Sequence, residues 1–178
     1  DNIFMGGNET MDIVLNGPFQ KPAPVSVTFD ASVAQTLHVG DGTWIHIPAG
    51  AMPVTGDVTL HITPIATLPH QHHARLYKYG YAFIATDDTG TPITANFDQN
   101  VIISFAYNEF ELGQLGLSEQ RLRPAYFSTT TNSWTIPEGY TVNTAENRVI
   151  MQIDHFTDYT LINTPLSTAV YLPVVATP

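Results

Sequence analysis

The chain has 178 residues, of which 43% are hydrophobic and 12% charged, so it can build the core of one large or two small domains with about half the usual share of charge. Six Lys and Arg against sixteen Asp and Glu give a formal net charge of −10. This charge disfavours a nucleic-acid partner and an anionic membrane surface, because phosphate groups are bound by basic patches. The absence of cysteine excludes disulfides, thiolate catalysis and cysteine-based metal sites.

The first 24 residues are predicted to form an N-terminal arm or linker with one candidate extra strand. Residues 1–10 are polar and show no hydrophobic period, whereas residues 11–15 are a candidate strand before the turn signal Asn16-Gly17-Pro18. Residues 21–24 (KPAP) form a stiff spacer. Because the chain begins at Asp1 and not at an initiator Met, we expect a mature form or a fragment from which a leader has been removed.

From residue 25 to residue 163, hydrophobic residues alternate with polar ones in short runs that turn signals separate. Period-two alternation marks strands with one face in a core. Together with the lack of helix–strand alternation, it predicts an all-β domain over residues 25–163, an antiparallel β-sandwich of about ten to twelve short strands. Residues 108–119 hold the candidate helix, which Gly113 and Gly116 keep short.

The run Leu76–Thr86 is predicted to be one long strand that places four aromatic rings on the same face: Tyr77, Tyr79, Tyr81 and Phe83. Gly80 within it indicates a bulge or a close approach of another backbone. Aromatic residues at period two more often pack in a core. A carbohydrate-binding face, with Trp44 and Trp134 as further stacking rings, is the alternative interpretation.

Residues 164–178 are predicted to be a C-terminal apolar tail, because Pro165 ends the domain and the apolar run Ala169–Val175 is broken by Pro173. No apolar run in the chain approaches the roughly 18 residues of a membrane span. We therefore expect no membrane insertion.

Two segments together resemble the signature of the ZU5 domain. The first is Gly42–Met52, which contains an isoleucine–proline–x–glycine–alanine turn, followed by Val58–Pro64, a strand that ends in proline. The second runs from Trp134 through Val149 into His-Phe-Thr at 155–157, and is similar to the second half of ZU5-like modules in bacterial secreted and surface proteins. The resemblance covers residues 25–162 and implies a β-sandwich with an extracellular or cell-surface location.

The corner His155-Phe156-Thr157 is the candidate catalytic site, and the resemblance implies it. Some ZU5-like domains are similar to self-cleaving proteins that cut between Phe and Ser in His-Phe-Ser. Here the Thr157 hydroxyl would attack the Phe156 carbonyl carbon while His155 takes the hydroxyl proton, and the resulting ester would hydrolyse. Thr in place of Ser departs from that pattern, because its methyl group narrows the allowed χ1 angles.

The alternative interpretation of the same corner is structural. Phe156 would then lie in the core, His155 would hydrogen-bond to backbone, and Thr157 would satisfy a turn amide. We favour this interpretation, because a motif match without its geometric context is a hypothesis.

Three histidines in one loop, His70, His72 and His73, are weak candidates for a metal site. Imidazoles bind Zn²⁺, Ni²⁺ or Cu²⁺, but a catalytic zinc site needs three converging ligands, which close neighbours in sequence rarely supply. Asp41 and the pair Asp87-Asp88 would offer oxygen ligands to Ca²⁺, but hairpin turns explain both and the EF-hand spacing is absent. We therefore predict no metal and no cofactor.

The sequence predicts a non-catalytic structural or protein-binding module of a secreted or cell-surface bacterial protein, and not an enzyme. Its partner would be another protein or another domain of the same polypeptide. The first alternative is a self-processing domain that cleaves between Phe156 and Thr157 by an N-to-O acyl shift. The second is a carbohydrate-binding module.

Overall fold

The computed structural model describes residues 21–66, 68 and 75–164. This part of the chain contains twelve strands, one short helix and one turn of 3-10 helix at Glu119–Arg121. In chain order the strands and helix are β1 Val25–Asp30, β2 Gln35–His38, β3 Trp44–Ile47, β4 Asp57–Ile65, β5 Arg75–Leu76, β6 Gly80–Thr86, β7 Val101–Ala106, α1 Glu109–Gln114, β8 Leu122–Ser128, β9 Ser133–Thr135, β10 Thr141–Asn143, β11 Arg148–Ile153 and β12 Asp158–Asn163.

The strands form two antiparallel sheets. A seven-stranded sheet has the order β1-β4-β6-β12-β8-β9, with β5 also paired to β12. A five-stranded sheet has the order β10-β11-β7-β3-β2. The prediction of an all-β, antiparallel β-sandwich of about ten to twelve short strands with at most one short helix is confirmed.

The core lies between the inner faces of the two sheets, as period-two alternation requires. The seven-stranded sheet contributes Leu60 and Ile62 from β4, and the five-stranded sheet contributes Ile103 and Phe105 from β7. Tyr81 of β6 stacks on Phe105, with ring centroids 6.1 Å apart, which joins the two layers through aromatic contact. Residues from both sheets form one continuous apolar cluster.

The chain crosses from one sheet to the other at the corner between β11 and β12. β11 pairs with β7 in the five-stranded sheet, whereas β12 pairs with β6 and β8 in the seven-stranded sheet. The corner, residues 154–157, is therefore a connection between layers. The sequence predicted a corner here, but the change of sheet depends on pairings that it does not contain.

The aromatic run 76–86 is not one continuous strand, so that prediction is wrong in detail. Against β12, Leu76 pairs with Ile162 and Tyr81 pairs with Tyr159. Four residues on one side, 77–80, therefore lie opposite the two residues 160–161 on the other. This bulge with two extra residues separates β5 from β6 and turns several consecutive side chains inward.

Gly80 sits in this bulge because there is no room for a side chain. A Cβ there would lie 2.9 Å from the carbonyl oxygen of Tyr159 and 2.8 Å from Cδ2 of Leu68. The predicted close backbone approach at Gly80 is confirmed.

The short helix α1 is capped by Asn108, whose side chain accepts hydrogen bonds from the backbone N–H groups of Phe110 and Glu111. Tyr77 anchors this end of the helix, because its hydroxyl donates to Glu111 at 2.6 Å and accepts from the Asn108 N–H at 2.8 Å. Residues 1–20 of the predicted arm and 165–178 of the predicted tail lie outside the described residues.

Candidate functional site

The phenyl ring of Phe156, the middle residue of the predicted corner, packs against the aromatic core. Its centroid lies 4.6 Å from that of Phe97 in an edge-to-face contact and 6.1 Å from that of Phe83 in a stacked one. Such pairs add to the free energy gained by burying the rings. Phe156 therefore fixes the corner to both the β6 strand and the segment before β7.

The side chains of His155 and Thr157, on either side of Phe156, are hydrogen-bonded to other residues and not to each other. The Thr157 hydroxyl donates to the carbonyl oxygen of Phe127 at 2.9 Å, whereas it was expected to accept from a turn amide. Nδ1 of His155 lies 2.7 Å from the Asp154 carboxylate, not at a backbone group as expected. The two residues are near one another in the chain, but the structure gives no His155–Thr157 hydrogen bond among the described residues.

The backbone of the corner is held on both sides. The Asp154 carbonyl accepts from the Phe97 N–H at 2.7 Å, and the His155 carbonyl accepts from the Tyr159 hydroxyl at 2.6 Å. Within the described residues, the non-glycine positions with positive φ are Asn132 and Asn147, so no corner residue is in the left-handed region. The strain that an amide-to-ester shift requires has no left-handed residue as its source here.

A buried polar cluster lies at the end of the sandwich where the β2–β3 turn meets the β5–β6 bulge. Oδ2 of Asp41 lies 2.6 Å from Nζ of Lys78 and accepts from the hydroxyls of Tyr79 at 3.0 Å and Tyr81 at 2.5 Å. Oδ1 of Asp41 accepts from the backbone N–H of Thr43 at 3.0 Å. We call these five residues the Asp41 cluster. It ties the five-stranded sheet to the seven-stranded one.

The charges in the Asp41 cluster are almost completely removed from water. The side chains of Lys78 and Asp41 are 9% and 10% exposed. Burial alone would raise the pKa of the Asp41 carboxyl, but the charge and hydrogen bond of Lys78, helped by Tyr81 and the Thr43 N–H, lower it to about 2. Burial and the neighbouring carboxylate raise the pKa of the Tyr81 hydroxyl far above its usual range. Asp41 is thus an ionised acceptor surrounded by donors.

The outer face of the five-stranded sheet carries a second group of side chains with binding potential. Register places Trp44 of β3 beside Ser104 of β7, and Ser104 beside Ile150 of β11. Arg148 of β11 reaches across this row: its guanidinium donates to the Ser104 hydroxyl at 3.1 Å and lies 6.0 Å from the centre of the Trp44 ring. Ser104 is 0% exposed although it points outward, because larger side chains cover it.

We call this surface the Trp44 face. Its outward residues, from the pairing of β2, β3, β7, β10 and β11, are Thr36, His38, Trp44, His46, Ile102, Ser104, Ala106, Thr141, Asn143, Arg148, Ile150 and Gln152. None of them is Asp or Glu, although the chain has sixteen acidic residues. In a strongly acidic protein, this face offers one guanidinium, two imidazoles and an indole.

Several side chains on the Trp44 face are already fixed by hydrogen bonds. The Thr36 hydroxyl lies 2.9 Å from Nδ1 of His46, and Gln152 accepts from the Asn100 amide at 3.0 Å. Arg148 also donates to the carbonyl oxygen of Gly42 at 3.0 Å. Fixed side chains lose less conformational entropy when a partner binds, so the face is preorganised for binding.

The four rings of the aromatic run pack in the core, as the favoured interpretation predicted. Tyr77, Tyr79, Tyr81 and Phe83 are each at most 3% exposed. Sugar stacking needs an accessible ring face, and these rings do not offer one. A carbohydrate-binding role would therefore rest on Trp44 and Trp134, which are both partly exposed. The Trp134 ring also makes an edge-to-face contact with Phe127, with centroids 5.6 Å apart.

The metal candidates His70, His72 and His73 lie outside the described residues. Within the part of the chain that is described, no three His, Cys, Asp or Glu side chains form a group that could hold a metal ion. The carboxylate of Asp87 accepts from the backbone N–H groups of Thr89 and Thr91 at 2.9 Å each, which is the hairpin-turn role expected for it. No helix in the described ranges is long and apolar enough to cross a membrane.

Sequence reasoning missed the two groups that the fold assembles, the Asp41 cluster and the Trp44 face. Lys78 and Asp41 are 37 residues apart, and only the pairing of sheets brings them together. A lysine inside a run of aromatic residues was the available signal, since Lys is rarely buried unless it is paired. No protein-family model and no curated protein sequence matches this chain.

Proposed function

We propose that the chain is a ZU5-like, non-catalytic module of a secreted or cell-surface bacterial protein, and that it binds another protein or another domain of the same polypeptide through the Trp44 face. The observation that carries this proposal is the contact of Trp44 with Arg148 over Ser104, on a face without acidic residues. Trp and Arg are the residues most enriched among those that dominate binding energy.

The chemistry of the Trp44 face suggests the kind of partner surface. Arg148 is held by Gly42 and Ser104, and a guanidinium has five donor N–H groups, so donors remain for a partner's carboxylate or carbonyl oxygen. Ile102 and Ile150 extend the contact with apolar area on either side. A partner with an acidic group beside an apolar side chain would complement both features.

The composition supports an extracellular setting. With 12% charged residues, the polar surface depends on Thr, Ser, Asn and Gln, a composition common in β-rich extracellular proteins. The two sheets are tied together at one end by the Asp41 cluster and at the other by the aromatic corner around Phe156. A module that holds its shape in this way suits a spacing and binding role.

The test is a comparison of captured proteins. The wild-type chain, the Trp44→Ala variant and the Ile84→Ala variant are immobilised and exposed to the extracellular and surface proteins of the source bacterium. Ile84 lies on the outer face of the other sheet and is 54% exposed, so its substitution is a matched control. Thermal melting verifies that all three are folded.

We expect a protein that is retained by the wild type and by Ile84→Ala but lost by Trp44→Ala. Equal retention by all three variants, or no specific retention by any, would contradict the proposal. Analytical ultracentrifugation of the same variants separates one further case: a dimer that Trp44→Ala abolishes would identify a second copy of the chain as the partner.

Self-processing at the corner is the second candidate, and the contact of Asp154 with His155 at 2.7 Å supports it. A carboxylate at Nδ1 orients the imidazole, as the third group does beside a general base. Against it, the Thr157 hydroxyl is engaged with the Phe127 carbonyl. The intact mass under denaturing conditions decides: one species near 19.5 kDa excludes cleavage, whereas fragments matching residues 1–156 and 157–178 establish it.

A further inference from the structure

The ion pair of the Asp41 cluster also has a geometry in which its two groups can react with each other. Nζ of Lys78 lies 2.6 Å from Oδ2 of Asp41, with both side chains about nine-tenths removed from solvent. Lys78 lies in the bulge beside the seven-stranded sheet, and Asp41 lies in the turn between β2 and β3 of the five-stranded sheet. We propose that Lys78 and Asp41 condense to an intramolecular amide, an isopeptide bond between Nζ and the side-chain carboxyl carbon that covalently links the two sheets.

The reacting atoms are already close. A nitrogen within hydrogen-bond distance of a carboxyl oxygen is near the carboxyl carbon as well, and reacting atoms roughly 3–3.5 Å apart correspond to a near-attack arrangement. The Lys78 stem has little freedom to leave, since Nζ lies 5.1 and 5.5 Å from the ring centres of Tyr79 and Tyr77. The fold thus holds amine and carboxyl together in the way that raises effective concentration.

The groups around the carboxylate are placed for addition and elimination. Oδ2 receives three donors, from Lys78, Tyr79 and Tyr81, whereas Oδ1 receives the backbone N–H of Thr43. Hydrogen-bond donors fixed around an oxygen stabilise the charge that develops on it during acyl transfer. Oδ1, which accepts from the fixed Thr43 N–H, stays as the amide carbonyl, whereas Oδ2, which lies against the proton donors Lys78, Tyr79 and Tyr81, leaves as water.

The step balances without any further reactant. The Lys78 ammonium first gives one proton to Oδ2, which yields a neutral amine and a carboxylic acid. The amine lone pair then adds to the carboxyl carbon, and the charge falls on Oδ1. A second proton passes from nitrogen to Oδ2, directly or through the Tyr81 hydroxyl, the C–Oδ2 bond breaks, and one water molecule leaves. One C–N bond has formed, and nothing has been oxidised or reduced.

Burial favours the product. Removing two charges from water has a desolvation free energy that their mutual attraction often does not offset. Burying a neutral amide that has hydrogen-bond partners costs much less free energy. The backbone N–H of Thr43, which already donates to Oδ1, stays in place as a partner of the amide carbonyl. The released water is lost to bulk solvent, which also favours condensation inside a dry site.

The test is the intact mass of the full chain under denaturing conditions, followed by tryptic peptide mapping. The amide lowers the mass by one water molecule, protects Lys78 from trypsin, and produces a branched peptide that joins Asp41 to Lys78. Asp41 precedes Gly42, and an Asp–Gly step also loses water by cyclising to a succinimide. Peptide mapping separates these cases, because the succinimide leaves Lys78 cleavable.

Three variants complete the design, two of them at the two lysines of the chain. Lys78→Arg keeps the positive charge and should restore the full sequence mass, whereas Lys21→Arg, at an exposed position, should keep the loss of water. Tyr81→Phe should slow the reaction and lower the cross-linked fraction.

Wild-type protein at its full sequence mass, a loss of water that persists in Lys78→Arg, or a Lys78 that trypsin still cleaves would each overturn the proposal. The inference does not depend on the binding role of the Trp44 face.

Discussion

The carbonyl oxygen of Tyr159 lies 2.9 Å from the point where a Cβ at Gly80 would stand, so β12 and the first residue of β6 approach more closely than any side chain allows. A carbonyl oxygen in a paired strand cannot move aside cheaply. Gly80→Ala should therefore destabilise the domain by about 1–3 kcal/mol, as overpacking does. For a chain of this length, each kcal/mol of lost stability lowers Tm by roughly 2–4 °C.

Gly113→Ala in α1 is the matched control for this prediction. A Cβ at Gly113 meets no atom within 4 Å, so the substitution costs no packing. Ala is a better helix former than Gly by about 1 kcal/mol, which should leave Tm unchanged or raise it. Equal effects of the two substitutions in a thermal melt would contradict the steric account of Gly80.

Strands with a buried inner face and an exposed outer face were the most predictable elements of the fold. β4 and β11 show this most clearly, because their buried residues recur at every second position along the strand. The run 76–86 was predicted as one strand and is two, since the bulge arises from its pairing with β12. Local pattern carries the period of a strand but not the register against a distant partner.

The Thr157 hydroxyl donates to the carbonyl oxygen of Phe127, and a substitution that removes only this bond tests its structural role. Thr157→Val keeps a branched side chain but removes the hydroxyl that donates to this carbonyl. We expect a loss of about 1 kcal/mol in the free energy of unfolding. Urea denaturation monitored by tryptophan fluorescence measures it.

Thr160→Val is the control, because the same substitution should leave the free energy of unfolding unchanged or raise it at that position. The Thr160 hydroxyl is buried and has no hydrogen-bond partner in the described part of the chain. Removing an unsatisfied buried hydroxyl is neutral or stabilising, by up to about 1 kcal/mol. If Thr157→Val proved as harmless as Thr160→Val, the bond to Phe127 would contribute nothing.

The candidate sites were less predictable than the strands. The sequence drew attention to His155 and Thr157 because they flank Phe156 in one corner, but their partners are Asp154 and Phe127. Conversely, Arg148 and Trp44 come from separate strands of one sheet, and nothing local links them. Residues that act together across a sheet become visible only when register is known.

The Asn108 side chain caps α1, and its loss should be felt because the helix has only six residues. Asn108→Ala leaves the N–H groups of Phe110 and Glu111 without their acceptor and should cost about 1 kcal/mol. Asn108→Asp retains an acceptor and should keep most of the stability. Denaturant midpoints of the three proteins give the comparison, and a loss in both variants would indicate a role for the amide other than capping.

Asp158, at the start of β12, should make the stability of the domain depend on pH in the opposite sense to an ion-paired carboxylate. Burial raises the pKa of its carboxyl above the 3.8 of an unfolded chain. Between those two pKa values the unfolded state releases its proton while the folded state keeps it, so stability from this group falls as pH rises. Above the folded pKa, the cost of the buried charge is constant.

Asp158→Asn removes this cost without changing the shape of the side chain. The variant should match the wild type in Tm near pH 3 and exceed it at pH 7. Asp98→Asn, at an exposed position, makes the same change in net charge and controls for it. Thermal melts across pH 3–8 decide the matter: a Tm difference between Asp158→Asn and wild type that stays constant over this range would show that the burial of the carboxyl has no energetic consequence.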